Sequence, residues 1–508
     1  MDWQAAAVEA GRIAQAWTAE GGPGGAVLAF DGDDLRAQAC GGMADLELGL
    51  PFRADTVVRF ASISKHIMAA TLLHEEGRPG IPALDDFLGS HLALSPAFAG
   101  VTLGRALDMT GGLPDALETF RLLGVPSSAA LDHRAMLAFV RRLDRLNFAP
   151  GSEITYSNTG YRLVQAILAG HGIDYPALAA ERLLRPLGIP LRFAYDFTEP
   201  VPHLAGGYWK DGQGAWRHGL YGMHISASGG WAGSAHDLVT WLQALLAGRA
   251  PLEGILPRLA HRRTLADGRP TGYGLGLARQ RLGDHLLVGH GGSLPGFRSY
   301  FLIDPETHAG VVVVCNREDC ETSALTLKVM AALYGEPLAE PARGVLPRGL
   351  FAMPGTPFWI AHEAGTLTWL GASDTVYPDA GGGVVSRSAH MPVRLRFEDG
   401  AIVGEISYVV RRFLAVPGGL EPDPAWEGEW VCAAQNARLA IVVQDGIARL
   451  VRGTGPLRAE LELSPIGEGR ALVENRDGSS GERVCLAFSR DELRLVSNRS
   501  RGLRFTRG

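Results

Sequence analysis

The sequence predicts an α+β protein in which an antiparallel sheet flanked by helices is followed by two small antiparallel β-barrels. Three observations carry this. Helical and strand-like patterns mix over the first two thirds without the regular strand–helix alternation of a parallel sheet. Helical periodicity largely stops at the proline-rich Glu336-Pro337-Leu338-Ala339-Glu340-Pro341, and beyond it come short strands separated by turn residues. At 508 residues the chain exceeds what one hydrophobic core usually holds. The boundaries read as 1–335, 345–418 and 425–508, with Pro417-Gly418-Gly419-Leu420-Glu421-Pro422-Asp423-Pro424 as the second linker.

Each element has its own signal. Met1 to Trp17 reads as an amphipathic helix, and Gly25 to Phe30, an Asp31-Gly32 turn and Leu35 to Cys40 as a hairpin. Ser62 to Glu76 reads as a helix with Ile67, Met68, Leu72 and Leu73 on its buried face. Further helices are expected over 136–146, 160–169, 175–184 and 234–246. Strands over 298–303 and 310–315 flank a turn at Asp304-Pro305. After the connector, strands are expected over 366–370, 393–397, 401–403 and 405–410. A second block carries 439–443, 447–450, 457–463, 483–489 and 492–496. Each block has roughly 80 residues, enough for a small closed barrel.

Composition excludes several function classes. Hydrophobic residues make up 46% and charged residues 20%, and no apolar run reaches the roughly 18 residues needed to cross a bilayer. The start lacks a basic cluster followed by an apolar stretch, so a cytoplasmic location without membrane attachment is expected. Five cysteines without Cys-x-x-Cys spacing suit free buried thiols, not a disulfide framework or zinc site. A net charge of −6 gives no electrostatic footprint for nucleic acid.

Lysine usage points to chemistry. Only three of the 48 lysines and arginines are lysine: Lys65, Lys210 and Lys328. Arginine stays charged at any accessible pH, whereas a desolvated lysine can lose its proton, so only lysine serves as a general base. Lys65 follows Ser62 by three residues, which at a helix start puts hydroxyl and amine one turn apart on the same face. The pair reads as a nucleophile and its activator. A capping serine before an exposed lysine is commonplace, but two further elements follow in order. Tyr156-Ser157-Asn158 lies between the Pro150-Gly151 turn and a helix, and His290-Gly291-Gly292 is read as preceding a strand, its glycines allowing a substrate backbone to approach the sheet edge.

Ser-x-x-Lys, Tyr-x-Asn and His-x-Gly in this order resemble the penicillin-recognising serine hydrolases, which include class C β-lactamases, D-alanyl-D-alanine carboxypeptidases, related esterases and D-aminopeptidases. The likeness extends to Gly22-Pro23-Gly24-Gly25, Met109-Thr110-Gly111-Gly112-Leu113 and Ser228-Gly229-Gly230-Trp231, and covers roughly residues 20 to 330. Within the family it is strongest to the D-aminopeptidases, which have His-Gly-Gly as third motif and two C-terminal β-barrels. The C-terminal likeness is looser and rests on length, strand texture and Glu427-Gly428-Glu429-Trp430.

The resemblance implies a β-lactamase/transpeptidase-like fold and a mechanism without metal or other cofactor. In it, Ser62 attacks the scissile carbonyl, and water hydrolyses the acyl-enzyme. Lys65 and Tyr156 share the proton work, and which of them is the base stays open. Asn158 orients Lys65 and the substrate amide, and the backbone N–H groups of Ser62 and Ser293 form an oxyanion hole. His290 is mostly neutral at pH 7, which weakens recognition of a substrate carboxylate beside Gly292. An aminopeptidase instead needs an anion for a free ammonium. The expected source is the loop Asn475, Arg476, Asp477, Gly478, Ser479, Ser480 and Gly481, with Asp477 as the carboxylate; the same dipeptide Asp477-Gly478 also suits a plain hairpin turn. The implied activity is release of an N-terminal D-residue from small peptides, amides or esters, and a homodimer is compatible with it. An esterase or β-lactamase-like hydrolase, and a binding module without turnover, are the competing readings.

Overall fold

The computed structural model describes residues 1–475 and 482–508. Helix α1 (Trp3–Glu20) starts on the Asp2 side chain, which accepts from the Ala5 N–H, and ends at Gly21 in the left-handed conformation. The central sheet has six strands: β1 (Gly25–Asp31), β2 (Asp34–Gly41), β3 (Ala278–Leu282), β4 (His285–Leu294), β5 (Phe297–Ile303) and β6 (Ala309–Cys315). They are ordered β3-β4-β5-β6-β1-β2, with every neighbouring pair antiparallel.

Alternation along the strands assigns the faces. Val27, Ala29, Leu302, Val311 and Val313 pack with α1 and α6 (Thr322–Tyr334). Ala26, Leu28, Phe30, Phe301, Val312 and Val314 point the other way, into the largest core. That core also takes residues from α2 (Ser64–His74), α4 (Thr159–Gly170) and α5 (Ala235–Ala247), and from the short α3 (Ala116–Leu122). Burial on both faces explains the unbroken apolar run Val311 to Val314.

Beyond this lie two closed barrels of eight antiparallel strands each. One runs from Gly349–Ala352 to Val409–Ala415 and the other from Gly428–Cys432 to Leu503–Arg507. The barrels share a seam, since Ile466, Leu472, Cys485 and Val496 of the second join the core that holds Trp359, Trp369 and Phe413 of the first. The second also covers Leu122 of α3, and Arg452 donates to the carbonyls of Arg121 and Leu122. All five cysteines are free thiols. Among the described residues, no helix is long and apolar enough to cross a membrane.

Several expectations need correction. Ser62 does not sit in the first turn of the long helix: it occupies a separate 3₁₀ turn, Ala61–Ile63, and α2 begins at Ser64. The hairpin turn is Gly32-Asp33, because Asp31 pairs with Asp34. His290-Gly291-Gly292 lies inside β4, not before a strand. The expected strands 401–403 and 405–410 are instead Ala401–Ile406 and Val409–Ala415, parted by Ser407 and Tyr408, both at positive φ as a tight primed hairpin turn requires.

Candidate active site

The segment carrying Ser62 is pinned against β4 and β5. The Phe60 carbonyl accepts from Ser299 Oγ at 2.9 Å, and a Cβ on Gly292 would lie 2.0 Å from that same carbonyl oxygen. Close approach of the protein's own nucleophile segment, then, is what Gly292 permits. Ala61 is held at φ +52°, a conformation that costs a non-glycine residue of order 1 kcal/mol and turns the chain sharply just before Ser62.

Lys65 is fully buried. Its Nζ lies 3.1 Å from Ser62 Oγ, 2.8 Å from Asn158 Oδ1 and 3.0 Å from the Ser228 carbonyl oxygen. Burial holds its pKa well below the ordinary lysine value; the Asp115 carboxylate opposes this and Arg499 reinforces it. A neutral amine matches these partners. Two N–H groups donate to Asn158 Oδ1 and the Ser228 carbonyl, which only accept, and the lone pair is left to receive the Ser62 proton.

Asn158 is oriented by a residue the sequence reading missed. Asp115 Oδ2 accepts from both the Asn158 backbone N–H, at 2.7 Å, and its Nδ2, at 2.8 Å, which turns Oδ1 towards Lys65. The other oxygen, Oδ1, caps α3 by accepting from the Glu118 N–H. The signal was present: Asp115 follows Met109-Thr110-Gly111-Gly112-Leu113-Pro114 directly, and Asp-x-x-Glu is a helix-start signature.

Tyr156 is buried, and burial raises its phenol above the ordinary value against the opposing hydrogen bond to Ser62 and the charge of Arg499. The Arg499 guanidinium sits 4.7 Å from the centre of the Tyr156 ring, and the His390 ring lies tilted to it at 5.1 Å between centroids. Arg499 comes from the turn before the last strand of the second barrel and His390 from a loop of the first, so no local pattern flags either. His290 Nδ1 donates to the Gly291 carbonyl at 2.6 Å, and its Nε2 accepts from the Tyr273 hydroxyl at 2.8 Å. Burial, then the charge of Lys65, drives its pKa well below the usual imidazole value.

A cavity of about 470 Å³ opens over this constellation, lined by Ser62, Tyr156, Asn158, His290, Gly292 and Ser293 among others. The β3–β4 ladder ends at Gly289, so the chain from His290 to Leu294 faces the cleft on that side, while Ser293 pairs with Arg298 on the other. The structure thus brings Ser62, Lys65, Tyr156, Asn158, His290, Gly292 and Ser293 together. Asn475 ends the strand Arg470–Asn475, opposite Glu482. Arg476, Asp477, Gly478, Ser479, Ser480 and Gly481 lie outside the described residues.

Comparison with known proteins agrees with the geometry. The beta-lactamase family model matches residues 10–334. The chain is 29% identical over 373 residues to a D-aminopeptidase of Brucella ovis, covering 71% of this chain and 67% of that one. It is 28% identical over 353 residues to a D-aminopeptidase of Brucella anthropi, covering 68% of this chain and 65% of that one. Among solved structures, the octameric penicillin-binding protein homologue from Pyrococcus abyssi superposes with a TM-score of 0.57 at 18% identity over 97% of both chains. The D-amino acid amidase from Ochrobactrum anthropi SV3 gives 0.53 at 24% identity over 65% of this chain and 99% of its own, and both share the fold. With its motifs assembled in one cleft and its first two thirds matched end to end, the chain belongs to the beta-lactamase family of penicillin-recognising serine hydrolases.

Proposed function

We propose that the protein is a D-stereospecific serine aminopeptidase, releasing an N-terminal D-residue from small peptides, amides and esters. One observation carries the chemistry: a fully buried Lys65 whose Nζ has two carbonyl acceptors and the Ser62 hydroxyl at 3.1 Å. Choice of substrate is supported by the curated D-aminopeptidases at 28–29% identity. Ser62 Oγ attacks the scissile carbonyl as its proton passes to the Lys65 amine, and the backbone N–H groups of Ser62 and Ser293 stabilise the oxyanion. The C–N bond then breaks; the leaving nitrogen takes a proton through Tyr156, and water hydrolyses the ester left on Ser62 by the reverse relay. Neutral His290 donates no full charge to a substrate carboxylate. The substrate ammonium is assigned to Asp477, in the unit 425–508 that follows those at 1–335 and 345–418. Cytoplasmic residence and a homodimer belong to the same proposal.

The test is a substrate panel: D-alanine p-nitroanilide, its L-isomer, p-nitrophenyl acetate and nitrocefin. Preferential cleavage of the D-anilide is expected. Cleavage of the acetate or nitrocefin without either anilide would replace this reading by an esterase or β-lactamase.

A further inference from the structure

Beside the Ser62 cavity lies a second one of about 340 Å³. Tyr156, Tyr300, Glu321, Ser323, His390 and Arg499 line both cavities, so they form the threshold between them. The far wall belongs to the first barrel and carries Asp374, in the strand Ala372–Pro378. The neighbouring backbone N–H groups of Thr375 and Ser388 lower the pKa of its carboxyl, yet Oδ2 is buried without a hydrogen-bond partner. An unsatisfied buried polar atom costs about 1–3 kcal/mol, and more when charged. Burial accordingly raises this carboxyl to about 6. The cation on the same wall, Arg387, lies over the Tyr377 ring at 4.0 Å; its charge lowers the Asp374 pKa against burial, but no ion pair joins the two among the described residues. On the threshold, Glu321, exposed at the start of α6, stands with Arg499, one charge of each sign.

We propose that this second cavity is a subsite for an ammonium or guanidinium group carried by the substrate on a flexible chain, with Asp374 as its counter-ion. The inference rests on the peptidase reading above and refines it. The α-ammonium of an N-terminal residue is two bonds from the scissile carbonyl carbon, so it stays in the Ser62 cavity, which Asp374 does not line. A cation that reaches Asp374 sits several bonds further out, as in a lysine-type side chain on the released residue or on the residue after the scissile bond.

Two substrate pairs distinguish these sources: D-lysine against D-norleucine p-nitroanilide, and D-alanyl-lysine against D-alanyl-norleucine. In Asp374→Asn, kcat/KM should fall on the order of 10- to 100-fold for the lysine member of one pair, while norleucine members stay within about twofold. Equal falls for lysine and norleucine members, or no fall, would overturn the subsite. A second readout is independent of D-residue release. Hydrolysis of p-nitrophenyl acetate by the wild type should be inhibited competitively by n-pentylammonium and much less by 1-pentanol, and Asp374→Asn should abolish the difference. If ammonium and alcohol inhibit the wild type alike, the subsite falls even if D-anilides are cleaved. If the difference is present but D-anilides are inert, the subsite stands and the aminopeptidase reading falls.

Discussion

Asp115→Asn isolates the arrangement around Lys65. Asparagine caps a helix as well as aspartate does, so with its carbonyl oxygen kept on the Glu118 N–H the start of α3 survives. The new amide group then faces two donors, the Asn158 backbone N–H and Nδ2, which lie 2.7 and 2.8 Å from the present carboxylate. Asn158 regains a partner only by turning its amide over, and that places an NH₂ instead of a carbonyl 2.8 Å from Lys65 Nζ. Each lost bond to a charged group is worth about 1.5–3 kcal/mol. A net loss of about 2–4 kcal/mol in the transition state corresponds to roughly 30- to 1000-fold in kcat/KM. The second signature is in the pH profile. The Asp115 charge raises the Lys65 pKa against burial, so its removal lowers that pKa further, and the acid limb of kcat/KM should move to lower pH. Stopped assays on D-alanine p-nitroanilide across pH, with denaturant unfolding as the control for the fold, give both quantities. A kcat/KM within about threefold of wild type with an unmoved acid limb would refute the role given to Asp115.

The remaining predictions concern the nucleophile, the barrel contacts and the loop beyond Asn475. Ser62→Ala should abolish hydrolysis and Lys65→Arg should come close to it, since arginine keeps the charge but cannot deprotonate; substantial turnover in either variant removes that residue from the mechanism. Glu153 is buried between Arg411 of the first barrel and Arg501 of the second, each at 2.9 Å. Glu153→Gln should therefore lower unfolding stability by about 3 kcal/mol, and an unchanged denaturation midpoint would show the pairs to be idle. Asp477→Asn should raise KM for a D-aminoacyl amide and leave an uncharged ester unaffected, and deletion of 477–481 should admit bulkier acyl groups; equal losses on both substrates would mean that the loop only supports packing.

The reacting groups were legible because chemistry restricts residue type and short spacing together. Ser62 with Lys65, and Tyr156 with Asn158, each lie within one turn of chain, and His290 is marked by its glycines. Their partners were less legible the further they lie in sequence. Asp115 sits in a readable capping pattern, whereas His390 and Arg499 reach Tyr156 through the docking of two barrels, which no local signal encodes. The same reason explains the errors in the strands. Gly289, Gly291 and Gly292 weaken β propensity inside β4, whose pairing is set by neighbours distant in sequence. Val384–Ser386 spans three residues, too few to show alternation.

Arg499 and Asp115 also show that the second barrel is part of the electrostatics of the site. The Asp115 N–H donates to the Arg499 carbonyl, and Asn147 Nδ2 donates to the same oxygen at 3.0 Å. On either side, Thr119 is hydrogen-bonded to Ser500 at 2.8 Å, and Arg501 donates to Glu153 and Thr155. The backbone that delivers the guanidinium to Tyr156 is thus held by the same aspartate that orients Asn158. Positive charge from Arg499 favours neutral Lys65 and ionised Tyr156, the pair of states a proton relay from Ser62 needs to visit, while Asp115 opposes both. With His290 held neutral by burial, Arg499 is the positive charge that acts on both Lys65 and Tyr156 from the wall of the cleft.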